Sequence, residues 1–97
     1  MLCSVIQSFG DADTERVWRR QRVRRFSSDL QRMANRKLLI IDAAETVSDL
    51  RTPPGNRLER LRGDQMGQYS IRINDQWRIC FTWTPGGSAD VQISDYH

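Results

Sequence analysis

His97 is the only histidine in the chain and the only side chain whose unperturbed pKa lies near neutrality, so proton transfer at neutral pH would centre on it. A lone histidine is more often structural or simply exposed. Arginine is the other residue type with chemistry to offer: fourteen of the fifteen basic residues are arginine, and the remaining one is Lys37. A guanidinium grips phosphate through a planar, two-pronged fork that an ammonium lacks. Cys3 and Cys80 form no Cys-x-x-Cys pair, and with one histidine they leave a zinc site short of ligands. They read as buried, reduced thiols on strands. No metal and no cofactor are expected.

The formal charge of +3 says less than its distribution. Arg16, Arg19, Arg20, Arg22, Arg24, Arg25, Arg32, Arg36 and Lys37 crowd residues 16–37 against one acid, Asp29. Such a run suits a nucleic acid or an acidic protein partner. A solvated helix face is the plainer reading of the same residues. Hydrophobic residues are 38% and charged residues 28%, a globular balance that argues against disorder. A chain of 97 residues implies one domain, 1–97, with one core. The longest apolar run, Leu38-Leu39-Ile40-Ile41, falls far short of the ~20 residues of a membrane span. Met1-Leu2-Cys3-Ser4-Val5 lacks the basic-then-apolar pattern of a signal peptide. The expectation is a soluble, cytoplasmic protein with no membrane partner.

Periodicity gives the elements that position these groups. Residues 2–9, ending at Gly10, read as a strand. Asp11 or Asp13 can cap a helix with Glu15 in its first turn, and Val17, Trp18, Val23 and Phe26 supply its apolar positions. Ser27 and Ser28 offer a second N-cap, after which Leu30, Met33, Ala34, Leu38 and Ile41 recur at helical spacing to about Ala44. Residues 42–52 read as helix end, turn and loop, closed by Pro53-Pro54-Gly55. Beyond Gly55 the pattern changes from helical to alternating. Residues 58–62 form a short strand, residues 69–73 and 77–83 a hairpin around Asn74-Asp75, and residues 90–96 a last strand after Pro85-Gly86-Gly87. The fold class is therefore α+β, with two to three N-terminal helices packed on one face of a small, mainly antiparallel β-sheet.

Strand parity assigns the faces. Ile71, Ile73, Trp77, Ile79, Phe81, Val91 and Ile93 fall on the covered side, and Trp18, Trp77 and Trp83 read as core. Arg72, Arg78, Gln92, Ser94 and Tyr96 fall on the open side, which Arg60 and Arg62 are placed to reach. Arginines on an open sheet face with an aromatic near its edge can neutralise phosphates and stack a base. A hairpin with an incidentally charged outer face gives the same pattern. Asp95 has core parity, which asks for a bend near the strand end.

Leu58-Glu59-Arg60-Leu61-Arg62-Gly63-Asp64, Gly67-Gln68-Tyr69-Ser70-Ile71-Arg72-Ile73-Asn74, Gln76-Trp77-Arg78-Ile79-Cys80-Phe81 and the ending Asp95-Tyr96-His97 follow in an order and spacing that carry a likeness. The chain resembles the HigB family, or plasmid-maintenance killer proteins, of the RelE/ParE toxin superfamily. The likeness is strong from Leu58 onward and weak through the arginine-rich helices. It implies a RelE-like fold and a toxin held inactive by a cognate helix-turn-helix antitoxin of the HigA type. It also implies metal-free cleavage of messenger RNA on the ribosome, with DNA met only through the antitoxin. By position, Arg62 matches the family's catalytic basic residue, usually lysine, and Asp95, Tyr96 and His97 match its functional C-terminal triplet. Glu59 stands where some members have a histidine, so it either substitutes as an acid–base group or marks a dispensable position.

In such a reaction the 2′-hydroxyl attacks the adjacent phosphorus and the 5′-oxygen leaves. That requires a proton acceptor, a proton donor and positive charge on the non-bridging oxygens. His97 is the candidate acid or base. Asp95 can orient the imidazole or polarise the 2′-hydroxyl, and Tyr96 can stack on a base, edge packing being its plainer role. Arg60, Arg62, Arg72 and Arg78 are the phosphate candidates, Arg78 foremost because of its central place. A structural pair with an acid such as Asp64 is the alternative for it. Arg16, Arg19, Arg20, Arg22, Arg24 and Arg25 are expected to dock on ribosomal RNA. Two further readings, a ParE-like inhibitor of DNA gyrase and a non-catalytic RNA- or protein-binding module, do without the Asp-Tyr-His chemistry.

Overall fold

The computed structural model describes residues 6–52, 54–60 and 67–95. Asp11 opens the first helix, α1 (Ala12–Trp18), by accepting the Thr14 amide at 2.7 Å. The expected helix through Phe26 ends early, because Arg20 adopts a left-handed backbone with φ of 62°. The backbone of residues 21–26 finds its partners elsewhere. Gln31 accepts the Val23 amide at 2.8 Å and donates to the Gln21 carbonyl at 3.0 Å, while Arg22 donates to the Phe26 carbonyl at 2.7 Å. Val23 and Phe26 are still buried, from a loop rather than a helix.

Ser27 caps the second helix, α2 (Ser28–Ala43), accepting the Leu30 amide at 3.1 Å. Leu30, Ala34, Leu38 and Ile41 form its buried stripe, whereas Met33, expected among them, is exposed. A 3₁₀ helix follows at Val47–Arg51, where the Thr46 and Glu45 amides donate to the Asp49 carboxylate and hold its pKa below the usual value. Asn56, in a second 3₁₀ turn (Pro54–Asn56), is buried and ties this segment together. It donates to the Leu50 carbonyl at 3.1 Å and accepts from Lys37 of α2.

The sheet runs in the order β1 (Glu59–Arg60), β2 (Gln68–Arg72), β3 (Trp77–Thr84), β4 (Gly87–Asp95), each pair antiparallel. Ile71, Ile79 and Ile93 line up across β2, β3 and β4 on the helix side. With Val17, Leu38, Ile41, Leu50, Phe81 and Val91 they make the buried core. Each such side chain removed from water contributes about 1.5–3 kcal/mol. Trp18, Trp77 and Trp83 pack partly buried against it, and the Phe26 ring meets Trp77 edge-on at 5.3 Å. The α+β arrangement expected from the period change is the one observed.

β4 carries a bulge: Asp90 and Val91 stand against Phe81 alone, and Asp90 has φ of 53°. Here the N-terminal segment docks. The described part of the expected first strand lies parallel to β4 through bridges Ile6↔Ser88 and Phe9↔Val91. The Asp90 amide bonds Ser8 Oγ at 2.9 Å, and the Gly10 amide bonds the Val91 carbonyl at 2.8 Å. A β-carbon on Gly10 would come within 3.1 Å of the Asp90 carbonyl, so the close approach favours glycine. No helix among the described residues is long and apolar enough to cross a membrane.

Candidate active site on the outer sheet face

The sheet face turned away from the helices presents two cross-strand rows. Arg72, Arg78 and Ser94 are neighbours in one, and Ser70, Cys80 and Gln92 in the other, with Glu59 joining opposite Ser70. The expectation of a solvent-facing Arg78 is corrected. Its side chain is only 9% exposed, and Nη1 reaches Glu59 Oε1 at 2.8 Å. Nη2 donates to the Arg57 carbonyl at 3.2 Å and lies 3.5 Å from that of Ser70. The outer face is not bare: the chain entering β1 covers the guanidinium and feeds it backbone carbonyls. The alternative role of Arg78, a structural pair, is the one realised. Its acid is Glu59, itself more than half exposed.

Arg72 is half-buried and ion-paired with the exposed Asp75 in the β2–β3 turn. Arg60 pairs across from Tyr69, which shares the parity of Ile71, so it lies on the opposite side of the sheet from Arg72 and Arg78. The expectation that it reaches the outer face fails because a two-residue strand takes its facing from the register of its partner. Asp95 stands opposite Trp77 without the anticipated bend. It is exposed because β4 has reached the sheet's end, and it accepts from Gln76 Nε2 at 3.1 Å. Cys80 is half-buried rather than buried, and its thiol is free. Arg62, Asp64, Tyr96, His97 and Cys3 lie outside the described residues.

The helix-end arginines are less bare than their number suggested. Arg16 meets Asp13 at 3.1 Å, Arg19 meets Glu15 at 2.8 Å, and Arg25 meets Asp13 at 3.2 Å while lying 4.6 Å from the Phe26 ring centre. Arg22 spends its guanidinium on the carbonyls of Val23 and Phe26. Arg20 and Arg24 have no carboxylate within ion-pair distance among the described residues. The acids Asp11, Asp13 and Glu15 sit just before the basic run of residues 16–37. Their spacing from Arg16 and Arg19 was the signal that could have found these pairs. Exposed pairs contribute only ~0–1 kcal/mol, so they exchange readily for a phosphate. Among the described residues no three of His, Cys, Asp and Glu are grouped to hold a metal ion.

Two helices on one side of a four-stranded antiparallel sheet make an α+β arrangement consistent with a RelE-like fold. Residues 7–97 match the family described as RelE-like toxin of type II toxin-antitoxin system HigB. Over 76 residues the chain is 48% identical to a Vibrio cholerae protein named Toxin HigB-1, covering 78% of this chain and 80% of that one. Over 71 residues it is 32% identical to the Endoribonuclease HigB of Proteus vulgaris, covering 73% and 75%. The chain belongs to the HigB-like family of type II toxins.

Proposed function

We propose that the chain is an endoribonuclease that cuts messenger RNA on the ribosome, in the cytoplasm, and is silenced by a HigA-like helix-turn-helix antitoxin. Only that antitoxin would meet DNA. The name of the Proteus vulgaris relative supports the activity class. The observation that carries the reading is the course of β4: it passes Ser94, beside Arg78, to Asp95, and the sequence continues directly as Tyr96-His97. Acid–base groups thus follow from the end of a sheet whose outer face holds arginines.

In this reading Asp95 and His97 divide the proton work. One takes the 2′-hydroxyl proton as the 2′-oxygen attacks phosphorus, and the other protonates the departing 5′-oxygen. Arg72 and Arg62 neutralise the non-bridging oxygens, and this positive charge makes a metal unnecessary to the scheme. Tyr96 stacks on a base. Arg78 is reassigned: it holds Glu59 and the entry to β1, and Glu59 is a partner in that hold rather than a proton carrier. Arg16, Arg19 and Arg25 dock on ribosomal RNA, trading their carboxylates for phosphates, and Arg24 docks beside them with no such pair to give up among the described residues.

The test is single-turnover cleavage of a translated message on saturating ribosomes. Discrete cuts are expected, slowed ~10²–10⁴-fold in His97→Ala with ribosome binding retained. Absence of cuts by the wild-type chain, or inhibition of gyrase in their place, would sink the proposal.

A further inference from the structure

The N-terminal segment serves β4 as an outer partner over a short length only. The Val91 amide donates to the Ser8 carbonyl at 3.1 Å, and the Gly10 amide returns a bond to the Val91 carbonyl at 2.8 Å. At Asp11 the chain turns into α1, and among the described residues no strand bridges that edge of β4 beyond Val91. The next amide directed outward is two residues on, at Ile93, whose side chain is in the core opposite Ile79. A buried N–H left without an acceptor is destabilising. Thr14 supplies the acceptor: its Oγ1 takes the Ile93 amide at 2.9 Å, across 79 residues of sequence. Thr14 is 0% exposed, and Asp11 accepts its own backbone amide at 2.7 Å, so the hydroxyl stands at a set place.

Asp95 stands two residues beyond Ile93 on the same strand. We propose that Thr14 is a positioning residue for RNA cleavage: its hydroxyl fixes the course of β4, and so sets Asp95 and the start of the Tyr96-His97 ending against the arginines of the outer face. The inference rests on the reading above that Asp95 and His97 carry the protons. From the β3 side, Gln76 Nε2 donates to the Asp95 carboxylate at 3.1 Å, so the end of β4 is held from both of its edges. Proton transfer needs its groups within hydrogen-bond reach, and a displacement of about 1 Å can cost ~10²-fold in rate. Thr14 is sealed from solvent, so it touches no RNA and acts through β4. The same short helix carries Arg16 and Arg19, so seating α1 on ribosomal RNA carries Asp95 with it.

The experiment compares the full chain as wild type, Thr14→Val and Thr14→Ser in single-turnover cleavage of a translated message on saturating ribosomes. Valine keeps the buried shape and removes the acceptor, whereas serine keeps the acceptor and loses the methyl. Thermal unfolding sets a temperature at which all three are folded. Should valine not fold, Thr14→Ala, which leaves room for water at the Ile93 amide, takes its place. Thr14→Val is expected to cut ~10-fold or more slowly with ribosome affinity unchanged, and Thr14→Ser to cut close to the wild-type rate. Amide hydrogen exchange reads the same bond without RNA. In Thr14→Val it should quicken ~10-fold or more at Ile93 and Ser94, and in Thr14→Ser it should not. A valine variant that cuts at the wild-type rate overturns the proposal. So does a serine variant as slow as the valine one, because the hydroxyl is then not what sets the rate. A wild-type chain that cuts no message refutes the proposed activity alone; exchange then judges the fastening, and equal rates at Ile93 and Ser94 in all three chains overturn it.

Discussion

Arginines in two regions of this molecule do opposite things. Around α1, Arg16 and Arg19 stand at the surface, more than half exposed, paired with Asp13 and Glu15 three and four residues away. In the sheet, Arg78 is nearly sealed, and it holds Glu59 and the Arg57 carbonyl from 19 and 21 residues away in sequence. The first group is solvated and exchangeable, so its cost on release is small. The second is a fastening: buried hydrogen-bonded charge resists removal because its partners lose their bonds with it. Residue type alone therefore does not mark a phosphate binder. Exposure and the distance in sequence to its partners separate an arginine that holds the fold from one available to a ligand.

Truncation at Arg78 probes this contrast most severely. Arg78→Ala is expected to cost about 2–4 kcal/mol in denaturant unfolding, since it empties a buried site and strands the Arg57 carbonyl. Should it unfold like the wild type yet lose cleavage, Arg78 is a phosphate ligand after all and the contrast collapses. Arg72→Ala should do the reverse, slowing single-turnover cleavage ~10²-fold with unfolding shifted by no more than ~0.5 kcal/mol. Removal of the α1 cap by Asp11→Ala should cost ~1 kcal/mol, read by thermal unfolding. It also frees Arg25 from one of its acids. Arg16→Gln/Arg19→Gln should leave stability within ~0.5 kcal/mol of wild type while making ribosome binding weaker and less salt-dependent. A salt slope equal to the wild type's would remove these residues from docking.

The smallest effect concerns Asp49. Its folded pKa is depressed by the Thr46 and Glu45 amides, so its contribution is full above the unfolded carboxylate value and is lost as pH falls through the folded one. Asp49→Asn should flatten the acid limb of the stability curve below about pH 4 and leave the neutral region alone. Urea midpoints measured across that range decide it.

Strand parity was readable because alternation is local: Ile71, Ile79, Phe81, Val91 and Ile93 are buried as their positions predicted. Ser27 as the cap of α2 was equally local. The end of α1 was not, because apolar spacing continued through Val23 and Phe26 while Arg20 turned the backbone away. The face of Arg60 depended on which residue of β2 it met, and the Glu59–Arg78 pair on chain covering the sheet; neither is a property of neighbouring residues. The Arg16–Asp13 and Arg19–Glu15 pairs are local too, set by helical spacing with acids that precede the basic run.

The bridge between the N-terminal segment and β4 also sets when the molecule can be finished. Ser8 and Asp90 are 82 residues apart, and Phe9 meets Val91 across the same edge. Closing so long a loop is entropically costly, and ln-scaled with its length, so these contacts form after the hairpin and helices rather than before. During synthesis the edge stays open until Val91 has been made, and only then does the bulge at Asp90 receive Ser8. A nascent chain thus carries its arginines long before it owns a closed sheet, and the strand leading into Asp95 is locked among the last of its parts.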